Sequence, residues 1–165
     1  MMVGWVRGII TAVAEGAIKR FGATGRSGET FASREMFQHY GFSSSPGAGA
    51  EAILIKSGNH IVSVAEDDRR YRIAVATGEV AIYSDEGDFV HLKRGRVVEI
   101  VTETLVIKAS SKVRIESPML ETTGEIVDLV EADGLSMSGM REVYNGHTHG
   151  ENDSGEWTDP PEVAM

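Results

Sequence analysis

From residue 78 to residue 115, apolar residues come in pairs at alternate positions: Val80/Ile82, Val90/Leu92, Val98/Ile100, Leu105/Ile107 and Val113/Ile115. From Leu92 onward the second members advance by 8, 7 and 8 residues. Polar turns lie between them, at Ser84-Asp85-Glu86-Gly87, Lys93-Arg94-Gly95, Ala109-Ser110-Ser111 and Ser117-Pro118. Two side chains on one face, a turn and two more is the pattern of a narrow β-meander or β-solenoid. One copy of such a ribbon has an apolar face with nothing on it and two open edges. Something must cover that face. One solution is a sandwich with residues 1–77 of the same chain. The other is a closed symmetric oligomer, in which three chains turn their apolar faces toward a common axis.

The part before the meander is mixed. Val3, Val6, Ile10, Val13, Ala17 and Phe21 have helical spacing, while Gly8, Gly16 and Gly22 weaken a helix there. A strand around Trp5–Val13 fits equally well. Short strand-like runs follow at Ala52–Ile55, His60–Val64, Tyr71–Val75 and Glu79–Tyr83, bounded by Ser57-Gly58-Asn59, Asp67-Asp68 and Thr77-Gly78. Several short strands with at most one helix predict a small barrel or sandwich.

Composition removes whole classes of function. The 165 residues contain no cysteine, which excludes disulfides, thiolate metal sites and cysteine nucleophiles. A net charge of −9 argues against a nucleic-acid partner held by its phosphates. No apolar run approaches a membrane span, and the N-terminal segment lacks the build of a secretory signal. No phosphate-binding glycine loop or nucleophile elbow is present, so no catalytic set is expected. The acidic group Glu66-Asp67-Asp68, beside Arg69 and Arg70, reads as a solvated hairpin tip, and Asp85-Glu86/Asp88 as the same sort of turn. Glu151, Asp153, Glu156 and Asp159 read as a solubilising patch ended by Pro160-Pro161. Met119, Met137 and Met140 look like fillers of a narrow interior.

Of five histidines, His39 reads as part of an aromatic cluster or as a surface residue. His60 and His91 occupy strand positions, solvent-facing or satisfied by neighbours. His147-Thr148-His149 differs: in an extended segment, imidazoles two residues apart point the same way and can reach one metal. Glu151 or Asp153 can complete such a site within the chain. Threefold symmetry can also complete it, giving six imidazoles in an octahedral shell.

Three stretches in order then resemble one family. They are Tyr40-Gly41-Phe42-Ser43-Ser44 with Pro46 and Gly49-Ala50-Glu51-Ala52; Asp68-Arg69-Arg70-Tyr71-Arg72 leading to Gly78-Glu79-Val80-Ala81-Ile82-Tyr83-Ser84 and Gly87; and Tyr144-Asn145-Gly146-His147-Thr148-His149 with Asn152-Asp153-Ser154-Gly155. Together they resemble the phage Mu-type baseplate spike family. The resemblance implies an all-β homotrimer with an N-terminal OB-like barrel (residues 1–77). An intertwined triple-stranded β-helix (78–140) and a metal-binding apex (141–165) follow. It implies one iron ion per trimer, bound by His147 and His149 of three chains. The implied place is the virion tail baseplate, at the tip of the tail tube and against baseplate hub proteins. The implied act is transient piercing of the host outer membrane on tail contraction, without catalysis. Six neutral imidazoles also suit a transition metal better than magnesium or calcium, and zinc prefers four ligands in structural sites.

Two other functions are weighed. An OB-fold module binding carbohydrate or peptide would use exposed aromatics, here only 7% of residues. A small His-ligated metalloenzyme would need an open coordination position, which six imidazoles leave no room for.

Overall fold

In the computed structural model, which describes residues 3–151, 153, 155–163 and 165, eight strands and one helix form. The strands are β1 (Val3–Ala14), β2 (Arg20–Thr24), β3 (Thr30–Met36), β4 (Glu51–Ser57), β5 (His60–Asp67), β6 (Val80–Tyr83), β7 (Phe89–Lys93) and β8 (Val97–Val101). The helix is α1 (Met137–Gly146). Asn152 and Ser154 of the third family-like stretch lie outside the described residues, as do Met1 and Met2 of the expected barrel segment.

The first five strands close into a barrel in the order β1-β2-β3-β5-β4, with β4 pairing back onto β1. All pairings are antiparallel except β3 with β5, where Glu35 and Met36 face Val62 and Ser63 in parallel. This is the five-stranded OB-type arrangement. Alternate residues fill it: Val6 and Ile10 from β1, Phe21 and Ala23 from β2, Ala52 and Leu54 from β4, Ile61 from β5. Phe31 and Met36 complete the filling from β3. Gly8 lies between Val6 and Ile10, where a Cβ would come within 2.9 Å of Leu54 Cδ1 and of the Thr24 carbonyl. Any side chain there would push β4 off β1. Buried Ser63 is satisfied by the Glu66 carboxylate, to which its hydroxyl donates.

The first segment is thus the strand, not the helix. Val6 and Ile10 are four residues apart, a spacing that shares one face in either period. A bulge between Ile10 and Ala12 then shifts the parity, so that Val13 packs on the core as well. That extra residue is what lends a strand the spacing of a helix.

Tyr71–Val75, expected as a strand, is not one. Its start is taken up by local bonds that compete with a ladder. The Tyr71 amide donates to the Asp68 carbonyl (3.2 Å), and Arg70 binds Asp68 through Nε (2.9 Å) and Nη2 (2.6 Å). Arg72 pairs with Asp67. These paired carboxylates close the end of β5; they are not a hairpin tip.

After residue 79 comes a separate three-stranded antiparallel sheet, β6-β7-β8. Its first turn is the expected one: Ser84 donates to Asp88 through its amide (2.9 Å) and its hydroxyl (3.2 Å), and Gly87 takes φ +92°. The chain separates into two compact units, Met1–Ile107 and Lys108–Met165. In the second, the principal element is α1, which departs from an all-β chain. Ser136 caps it by accepting from the Gly139 amide at 3.1 Å. The Glu125 carboxylate accepts from the hydroxyls of Ser138 and Ser136 and from the Ser138 amide, which holds its pKa below the ordinary value. Glu125 thereby supplies the negative charge that the first turn of α1 lacks.

Candidate functional site

The register of the second sheet decides where the paired apolar residues point. Val80, Leu92 and Val98 stand opposite one another across the three strands, and Ile82, Val90 and Ile100 form the next row but one. All six lie on one face. Val80, Ile82, Leu92, Val98 and Ile100 keep 49–62% of their surface exposed in the single chain. The row between them, Ala81, His91 and Glu99, belongs to the opposite face, where Lys93 reaches Glu99 at 2.9 Å. The co-facial pairs are therefore real, and within this unit they stay largely uncovered.

The continuation differs from the meander expected from spacing alone. Among the described residues, no strand forms from Thr102 to Ile126, although Leu105, Ile107, Val113 and Ile115 are all exposed. Among the described residues, these pairs find no ladder partner. Met119, Met137 and Met140 are exposed too.

A polar knot anchors the start of the sheet. The Glu79 carboxylate accepts from the Arg94 amide (2.9 Å), the Ala76 amide (3.0 Å) and His91 Nε2 (3.0 Å). The two amides, Arg94 first, hold its pKa at about 2, with His91 adding to the effect. The Arg94 side chain in turn donates to the Thr77 carbonyl through Nε (2.9 Å) and Nη2 (2.5 Å). Gly78 (φ +81°) lies under that guanidinium, where a Cβ would collide with it. His91 is buried and satisfied by this carboxylate, one of the two readings its position allowed. His39 and His60 are exposed.

The His147-X-His149 pair follows directly on α1. The helix ends at Gly146, and His147, in extended conformation, caps it through its amide to the Tyr144 carbonyl (3.4 Å). His147 Nδ1 lies 2.5 Å from that same carbonyl oxygen. A carbonyl can only accept, so Nδ1 is the donor in this contact, and in the neutral ring Nε2 is the nitrogen with the lone pair. That is one of the two tautomers through which a histidine can bind a metal. The rings of His147 and His149 have centroids 5.0 Å apart and planes at 87°. Two imidazoles bound at right angles to one ion, with metal–nitrogen distances near 2.1 Å, would have centroids about 4.5–5 Å apart. The pair fits. Among the described residues, no group of three or more His, Asp or Glu gathers to hold a metal. Among the described residues of one chain, the two imidazoles stand without a third ligand from Glu151 or Asp153.

Residues 7–70, almost the whole of the barrel, match the family model described as Bacteriophage Mu Gp45, N-terminal. That segment of the chain is similar to the N-terminal part of the Mu Gp45 family. A curated relative, the "Baseplate puncturing device gp45" of Escherichia phage Mu, is 33% identical over 97 residues. The aligned stretch covers 56% of this chain and 49% of that protein, so the chain spans about half the length of the relative it matches. The matched segment contains two of the family-like stretches, in part or whole. Tyr40-Gly41-Phe42 forms a turn closed by the Phe42 amide on the His39 carbonyl (3.0 Å). Lys19 fixes the following serines by donating to Ser44 O (2.7 Å) and Gln38 Oε1 (3.1 Å). Sequence reasoning passed over Lys19 and Gln38, whose role depends on contacts 19 to 25 residues away.

Proposed function

We propose that this chain is the central spike of a contractile-tail baseplate, a homotrimer that pierces the host outer membrane when the tail contracts. Its place is the virion tail baseplate, in keeping with its similarity to the phage Mu protein. The barrel is the part held by neighbouring baseplate hub proteins. Beyond it, three chains turn the Val80–Ile100 faces toward one axis and continue as an intertwined triple-stranded β-helix. The role is mechanical and involves no turnover.

The observation that carries this reading is the pair of cross-strand apolar rows left uncovered beside a Gp45-type barrel. Each row becomes a core only when other chains bring equivalent rows to it. The strandless run after Thr102, with its own alternating apolar residues, suits backbone that pairs between chains.

At the apex, His147 and His149 of three chains would hold one iron ion. The tautomer of His147 and the 5.0 Å ring spacing support this use of the pair. An ion held there stabilises the fold where the taper leaves too few side chains for a core. Native mass and elemental analysis of the purified full chain test both parts: a trimer with about one iron per three chains is expected from six ligands. A monomer refutes the spike, and a metal-free trimer refutes the iron apex.

A further inference from the structure

The segment after the histidine pair turns back on itself and grips His149 from both sides of its peptide. Gly150 and Trp157 form an antiparallel bridge. The Glu151 amide donates to the Glu156 carbonyl at 2.9 Å, and the Thr158 amide donates to the His149 carbonyl at 2.8 Å. In a regular antiparallel ladder, a hydrogen-bonded pair exchanges two such bonds, so the His149 amide would donate to the Thr158 carbonyl. Here it donates to the Thr158 side chain instead, with His149 N and Thr158 Oγ1 2.9 Å apart. The ladder can go little further: Pro160 and Pro161 have no amide hydrogen to offer. The hydroxyl thus stands in for a main-chain acceptor at its last rung, beside a candidate ligand.

We propose that Thr158 is a positioning residue for the metal apex, fixing the backbone of His149 so that its ring meets the ion in step with His147. The inference rests on the apex reading above. The two histidines are then set by different devices. The Tyr144 carbonyl orients the His147 ring directly (Nδ1 to O, 2.5 Å), whereas Thr158 acts on His149 through the peptide. Outer partners of metal ligands typically govern affinity by about 10–100-fold. A ligand whose peptide rocks would lose the angle between the two rings.

Chelator challenge of the iron-loaded full chain tests this, with three proteins compared: wild type, Thr158→Val and Thr158→Ser. Valine keeps the shape and removes the acceptor; serine keeps the acceptor. Thr158→Val should release iron at roughly 10–100-fold lower chelator concentration, with Thr158→Ser close to wild type. The melting temperatures of the three metal-free forms should coincide, because one exposed-side hydrogen bond is not what holds the apo chain together. If valine and wild type retain iron equally, or if serine fails as badly as valine, the positioning role is refuted while the iron apex stands. A valine variant that melts lower without metal refutes it too, since the bond then serves the fold at large. Wild type that takes up no iron removes the apex reading and this one together.

Discussion

Ile100→Asp probes the uncovered face at a residue whose direction the register fixes. Ile100 stands in the row Ile82–Val90–Ile100 and is 50% exposed in the single chain. Full burial of such a side chain is worth about 1.5–3 kcal/mol, so covering the remaining half contributes roughly 1 kcal/mol per chain and about 3 kcal/mol per trimer. Aspartate forfeits this and adds three carboxylates facing one axis. Each costs several kcal/mol more when taken from water without a partner, unless it stays protonated. The sum exceeds what a marginally stable assembly can absorb. The matched control is Glu99→Gln, one residue away on the opposite face. It breaks only the exposed Lys93 pair, worth at most about 1 kcal/mol. Sedimentation velocity at micromolar concentration should show Glu99→Gln as wild type and Ile100→Asp dissociated. If both sediment as trimers, the apolar rows do not face an axis and the reasoning fails.

Farther along, Ile107→Asp should likewise break assembly while Lys108→Asp leaves it intact, and equal damage by gel filtration would show the register there to be wrong. Glu79→Gln should lower the melting temperature at neutral pH, because the ionised carboxylate serves Arg94, Ala76 and His91 at once. The folded chain holds this group at about 2, against an ordinary 4.5, so its stabilisation is present above 4.5 and is lost as pH falls toward 2. The gap between variant and wild type should therefore close across that window; a gap that is flat with pH would assign the effect to shape and not to charge. The double change His147→Ala/His149→Ala should abolish iron uptake and loosen residues 140–155 to hydrogen exchange, with sedimentation still reporting a trimer.

How much of this was legible depended on how local its cause is. The meander turns were readable because Gly87, Gly95 and their polar neighbours act within four residues, and the period of two then placed Val80, Ile82, Leu92 and Val98 together. The opening strand was not decidable, because a bulge at Ile10/Ala12 made Val13 share a face with Val6 and Ile10. No composition rule announces a bulge. Tyr71–Val75 misled through its β-branched and aromatic content, while the Asp68–Arg70 and Asp67–Arg72 pairs had already committed the preceding turn. The helix α1 was missed although its signals were present: Ser136 is a good cap, and Met137, Met140 and Tyr144 recur at steps of three and four. Those methionines had been assigned to a narrow interior, and that assignment hid their spacing. After α1, the candidate histidine pair was visible from its two-residue spacing. Its supports were not, since Tyr144 acts through a carbonyl and Thr158 from nine residues away.

One physical distinction separates the two halves of the chain. In the barrel, each inward residue meets its partners within the same chain: Phe21, Ile10 and Leu54 are at most 1% exposed. The paired residues beyond Glu79 have the same alternation and the same branched side chains, yet five of the six sheet residues remain about half exposed or more. Identical local patterns thus lead to opposite burial, and local propensity cannot be the reason. The barrel closes because β4 returns to β1. A three-stranded ribbon has too few strands to curl around its own face, and in the single chain that face stays uncovered. The proposed spike reading therefore rests on assembly more than on any single residue.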